Sequence, residues 1–359
     1  MPMSLQPIRV PERFYRNGPP HWRQGRKQKR AETAAQAARA WRRHIKRLKR
    51  EAKAVGAQQG HEQAPERRQL LLDGIEVIEG CGRGHRCHHD ACPKCMRARQ
   101  RWFVWTAPIA LKKAGKLAKQ EGAELAVLSV VPNLRLAPRA SVKHIQEQLT
   151  RILNTIRRNL TEAGIHFLIG GIDISANEDR RDSKRRGAQP RTATTRFQLH
   201  LWAIGLEGDI RQAEAAIRNA FGRSTTVRRP VLIGAFDGDN RGYAYGLKTS
   251  FTRRISYTPK AAADDASVTT NTQDSWKAVY KRHNTRGKKL TAAQAAEVTI
   301  LLGQLGFHRR LFLIGAHVTA NDKGVPVIRP SGSVPGVVID NHRSPKLGTA
   351  VPRKRVTGD

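Results

Sequence analysis

Apolar positions along this chain change period several times, and each change predicts an element. The run ELAVLSVVPNL, residues 124–134, is apolar and β-branched and closes on Pro132, which predicts a strand followed by a turn. Ser141 then caps a segment carrying Ile145, Leu149, Ile152, Leu153 and Ile156 on one 3.6-residue face, which predicts an amphipathic helix. HFLIGGIDIS (166–175) and RFQLHLWAIG (196–205) read as strands on either side of a polar loop at 177–195. A helix from about Asp209 to Phe221, the strand TVRRPVLIGAF (226–236) and a helix starting near Asn240 follow. Two strands joined by a polar loop can pair antiparallel. The order β-α-β-loop-β-α-β-α therefore predicts an α+β fold with a mostly antiparallel sheet and flanking helices.

Outside this core the pattern is less regular. Residues 1–60 form a basic arm with sixteen Lys or Arg and three acidic residues. Within it, 31–54 is Ala-rich with Trp41, Ile45 and Leu48 at helical spacing, and 19–30 has the composition of an unfolded linker. Leu70 to Glu79 reads as a short strand, and Ala91 to Gln120 as a helix containing Trp102, Val104 and Leu111. These divisions give a cysteine-rich segment and helix at 70–120 and a core at 124–255. A polar insertion at 256–290 precedes a C-terminal helix and strand (RLFLIGAHV) at 291–320, and a basic, Gly/Pro-containing tail occupies 330–359.

Charge narrows the function class. Lys and Arg total 66 against 29 Asp and Glu, a formal +37, which points to a polyanionic partner. The chain carries no lipidation motif, signal peptide or apolar span of membrane length, so nucleic acid is preferred over membrane and the expected location is cytoplasmic.

All four cysteines, Cys81, Cys87, Cys92 and Cys95, lie in CGRGHRCHHDACPKC. That C-x5-C-x4-C-x2-C spacing in a reducing compartment favours a tetrahedral structural Zn²⁺ over disulfides or four unrelated thiols. His85, His88 and His89 lie inside the cluster, and one of them could replace a cysteine.

A second constellation interrupts apolar strands. Gln198, His200 and Trp202 share one face of their strand, and Asp173 sits at a comparable central position of the neighbouring strand. Polar groups there must find partners. They are either a carboxylate–imidazole–amide set for Mg²⁺ or Mn²⁺, or a core histidine hydrogen-bonded to Asp173. In RGYAYGLKTSF, Tyr245 and Lys248 are three apart on an expected helix and share a face, whereas Tyr243 points elsewhere.

The order of these pieces resembles the HUH endonucleases, the rolling-circle replication initiators (Rep proteins) of plasmids and related transposases. LAVLSVVPN is similar to their opening strand and turn, GIDIS to their acidic strand, and the Gln-x-His of strand 196–205 to their His-hydrophobic-His strand. Tyr-x-x-Lys, CPKCMRARQRW and HRRLFLIG complete a resemblance spanning roughly residues 75–315. It implies a ferredoxin-like or RRM-like core behind a zinc knuckle. Asp173, Gln198 and His200 would hold a catalytic Mg²⁺ or Mn²⁺, Tyr245 would be the nucleophile and Lys248 its electrostatic helper. The implied partner is single-stranded DNA or an origin hairpin, with a helicase or polymerase of the host. Gln198 departs from the family pattern, where a histidine stands. A catalytically inactive, zinc-containing DNA- or RNA-binding descendant is therefore the alternative, and a ribosomal-type RNA-associated protein a third class.

Overall fold

A computed structural model describes residues 8–16, 42–43, 45–53, 64–82, 85–118, 124–134, 136, 141–179, 195–224, 227, 229–248, 251–257 and 284–331. The fold is α+β, as the pattern predicts. Six strands run in the order β4 (Val231–Phe236), β1 (Leu125–Val130), β3 (Thr195–Leu206), β2 (Leu168–Asp179), β5 (Thr252–Tyr257) and β6 (Asn284–Lys289). A seventh, β7 (Leu311–Ile314), pairs with the start of β2. Every pairing in this sheet is antiparallel except β2 with β5.

Alternation of side chains along β1, β2 and β3 divides the core in two. Ala126, Leu128, Ile172, Leu199 and Leu201 face the helix α4 (Val142–Glu162), which buries Ile145, Leu149, Ile152 and Ile156. The capping seen from sequence is present: Ser141 Oγ accepts the backbone N–H of His144. The same layer takes α2 (Ala64–Glu79) and α8 (Ala292–Arg310), whose start is closed by a Thr291–Gln294 capping box. On the opposite face Val127, Ile169 and Ile204 meet α3 (Pro93–Leu117) and α7 (Asn240–Gly246). The remaining short helices are α1 (Arg13–Arg16), α5 (Glu207–Gln212) and α6 (Glu214–Ala220), and residues 45–53 are also helical.

Three segments differ from their sequence pattern. Leu70–Glu79 is the second half of α2 rather than a strand, because Leu71, Ile75 and Ile78 recur at helical spacing and are buried together. The apolar run 310–318 breaks at Gly315 (φ +61), where a Cβ would stand 2.0 Å from His166 O. Beyond that turn, β8 (Ala316–Ala320) and β9 (Pro326–Pro330) form a separate hairpin against α3, with Trp102 Nε1 donating to Pro326 O at 2.7 Å. The basic arm also contributes to the core: Ile8, Val10 and Phe14 pack on the α3 side, and helical residues Ile45, Leu48 and Ala52 pack on the α4 side. Most of the expected insertion at 256–290, the loop at 180–194 and the tail beyond 331 lie outside the described residues.

Candidate functional site

Strand register brings the polar residues of β2 and β3 together. Asp173 pairs directly with His200, Ser175 with Gln198 and Gly171 with Trp202, all on the α7 side of the sheet. Burial is nearly complete for Asp173, Gln198 and His200. Helix α7 can approach because Gly171 has no side chain; a Cβ there would stand 2.1 Å from Gly246 O.

That approach delivers both residues of the Tyr-x-x-Lys motif. Tyr245 is partly exposed, and its ring centre is 4.5 Å from that of Trp202. Helix α7 ends at Gly246, so Lys248 follows the helix rather than lying on it, yet the two still meet. Lys248 Nζ stands 3.7 Å from the Tyr245 ring centre and donates to Asp173 Oδ2 at 2.9 Å. Tyr243 points the other way, buried against Phe236, and burial pushes its hydroxyl up to about 12.

Each potential metal donor already has a partner. Asp173 Oδ1 accepts the Ile174 N–H, and its Oδ2 is taken by Lys248. Gln198 Oε1 accepts from Asn177 at 3.1 Å, and its Nε2 donates to Pro132 O at 3.0 Å. His200 Nε2 is 2.7 Å from Ser129 Oγ. Burial, reinforced by Lys248 and Arg254 and opposed by Asp173, lowers the imidazole to about 4, so it is neutral near pH 7. One carboxylate, one neutral imidazole and one amide oxygen on a shared face suit a hard divalent cation, which would compete with these internal partners. His200 is hydrogen-bonded to Ser129, a polar interruption of an apolar strand. The same kind of polar interruption marks Asp173.

Beneath the site lies a buried row of charge. Arg310 is fully enclosed and donates to Ile172 O at 3.0 Å and Lys248 O at 2.6 Å. It thereby ties β2 to the segment carrying Lys248. Its Nη1 reaches Met96 Sδ at 3.2 Å, and Arg99, paired with Asp90, lies close enough to influence it. Arg310 belongs to the HRRLFLIG stretch.

Met96 follows the last cysteine, so this row leads to the knuckle. The four cysteine sulfurs lie within 4.8 Å of one another and could hold a metal such as zinc. Cys81 and Cys87 sulfurs each stand 3.6 Å from that of Cys95. Cys92 is the N-cap of α3 and Cys95 sits in its first turn, while Lys94 Nζ donates to Cys81 O at 2.8 Å. Among the described residues no histidine joins the group. His89 is half-buried beside Gly74 and Gly303, and its Nδ1 accepts the Ala91 N–H. His88 instead offers its carbonyl to Arg99, and the His85 carbonyl accepts the Gly82 N–H.

Among the described residues no helix is long and apolar enough to cross a membrane. No protein-family model matches the chain, and neither a curated protein nor a solved structure was found to match it.

Proposed function

We propose that this protein nicks single-stranded DNA through Tyr245 and holds the cut end as a covalent phosphotyrosine, as a plasmid-type replication initiator does. The observation that carries the reading is the meeting of Tyr245, Lys248 and Asp173 on one sheet face, although Asp173 and Lys248 are 75 residues apart in sequence. The Tyr245 oxygen would attack the scissile phosphorus, the bond to the 3′ oxygen would break, and the phenolic proton would end on the released 3′-OH. Lys248 would shift from Asp173 toward the phosphate and meet its charge. A divalent cation held by Asp173, His200 and Gln198 would polarise the same phosphate. The neutral Ser129–His200 pair keeps the imidazole in a fixed orientation, and Arg310 fixes the backbone of Lys248.

The test is a labelled single-stranded oligonucleotide, taken from DNA neighbouring the gene, incubated with Mg²⁺ or Mn²⁺. Wild type should give an adduct that survives denaturation. Tyr245→Phe should give none and still bind the strand, while Tyr243→Phe should behave as wild type. Adduct formation by Tyr245→Phe would assign the chemistry to another residue.

A second reading rests on Gln198, whose amide is committed at both ends to Asn177 and Pro132. On that reading the protein is a zinc-containing DNA- or RNA-binding descendant that does not cut. Wild type would then form no adduct, and Gln198→His would restore it.

A further inference from the structure

On the β4 side of Tyr245 the sheet carries an open cavity of about 740 Å³, bounded by β1, β3, β4 and the start of α7. Its walls combine two kinds of group. Trp202 and Tyr245 contribute aromatic surface, with Val127 and Phe236 extending it. Glu124, Glu207, Asp237 and Asp239 contribute four carboxylates, against the single cation Arg241. In a chain of formal charge +37, this is a local reversal of sign beside the proposed nucleophile.

The two aromatic rings are held in place. The Trp202 indole N–H donates to Gly242 O at 3.0 Å, which leaves its ring, not its polar edge, to meet a ligand. Tyr245 is fixed between Trp202 and the Lys248 ammonium. Two of the carboxylates are already engaged: Glu207 binds Arg211 and Asp239 binds Arg241. Asp237 Oδ1 accepts the Asp239 backbone N–H at 2.9 Å, and among the described residues no ion pair holds Glu124 or Asp237. The acidic groups are too dispersed to form a metal cluster, since the cysteines are the one such group among the described residues.

A phosphate is repelled by this lining, but a nucleobase is not. Bases stack on aromatic rings, and their amino groups donate to carboxylates. Resting on the reading of Tyr245 as a single-strand nuclease, we propose that this cavity receives a base of the DNA strand next to the scissile phosphate. The base stacks on Trp202, and Glu124 or Asp237 selects one with an exocyclic amino group, cytosine above all. Thymine, which offers carbonyl oxygens there, is disfavoured. The strand's phosphates remain outside, toward Lys248 and Arg254.

The probe is an oligothymidylate carrying one 5-iodocytosine or one 5-iodouracil, photocrosslinked to the full-length protein without added divalent metal, with labelled peptides identified by mass spectrometry. Iodocytosine should label Trp202 or Tyr245 at least about fivefold more than iodouracil does. Glu124→Gln with Asp237→Asn should bring the two to parity. Gly234→Trp, whose side chain would start in open space on the sheet face shared with Val127 and Phe236, should abolish both. Equal labelling by the two bases in wild type, or no label on either ring, overturns the proposal. Protection by an arginine-rich peptide with no base preference would also overturn it, by making a cationic side chain the occupant. Labelling without any covalent adduct in the nicking assay would sink the nuclease reading and keep the base site, whereas an adduct without labelling would do the reverse.

Discussion

Lys248 donates to Asp173 at 2.9 Å across the mouth of the sheet face, and the ammonium is far less exposed than a surface lysine. The pair is therefore a stability element as well as a candidate for chemistry. Lys248→Met should leave the Asp173 carboxylate with only the Ile174 N–H and cost roughly 2 kcal/mol. Asp173→Asn should cost less, since a neutral amide is easier to bury. The double substitution should fall short of the sum by about 1 kcal/mol or more, the sign of direct coupling. Urea unfolding of the four proteins measures this; additive losses would mean that the contact contributes nothing in solution.

Alkali should expose the burial of Tyr243 as a loss of stability. Burial raises the Tyr243 hydroxyl from 10 to about 12, so the folded protein holds this proton more tightly than the unfolded chain. The contribution is fully present below pH 10 and is lost as pH rises toward 12. Wild type should lose about 2 kcal/mol over that window from this group. Tyr243→Phe should flatten that part of the curve, with Tyr243 ionisation absent from the ultraviolet titration. An unchanged slope would show that water reaches the Tyr243 hydroxyl.

How much of this was legible in sequence depended on whether the signal was local. That Asp173 and His200 can share a sheet face is legible from period-two alternation, and that Tyr243 and Tyr245 point different ways is legible from their spacing, but the direct pairing of Asp173 with His200 is a matter of register. Leu70–Glu79 reads as a short strand, yet Leu71, Ile75 and Ile78 carry a helical period and lie on one buried face of α2. The partners that commit Gln198 and His200, namely Asn177, Pro132 and Ser129, depend on register and turn geometry that no local pattern encodes. The cavity beside Tyr245 was invisible for the same reason. Its carboxylates come from the ends of four separate elements, none of which looks acidic by itself.

The cysteine cluster makes a sharp prediction about metal. Four sulfurs within 4.8 Å, three of them buried, can be thiolates together only if a cation offsets their charge. Purified protein should contain about one zinc per chain, released when Cys92 and Cys95 are changed to serine. Because Cys92 and Cys95 open α3, the same change or a strong chelator should lower the melting temperature and loosen the packing of Met96 against Arg310. Metal-free protein with four freely titrating thiols and an unchanged melting temperature would remove the zinc site.

Salt dependence should locate the polyanion contacts, but the obvious truncation is the wrong one. Deleting residues 1–60 would remove Ile8, Val10, Phe14, Ile45, Leu48 and Ala52 from the two cores, along with the Lys49–Glu79 ion pair and the Arg47 bond to Leu290 O. Such a protein should aggregate or unfold, and its lost affinity would say nothing about phosphates. The informative change is neutralisation of the six Lys and Arg between residues 17 and 40, at Arg23, Arg26, Lys27, Lys29, Arg30 and Arg39. Each phosphate contact removed should reduce the slope of log affinity against log salt by about 0.7 for a single strand. If all six bind phosphate, the slope should therefore fall by about 4, with the melting temperature unchanged. A slope that does not move would assign the polyanion surface to other residues, among them Lys248 and Arg254 beside the sheet face.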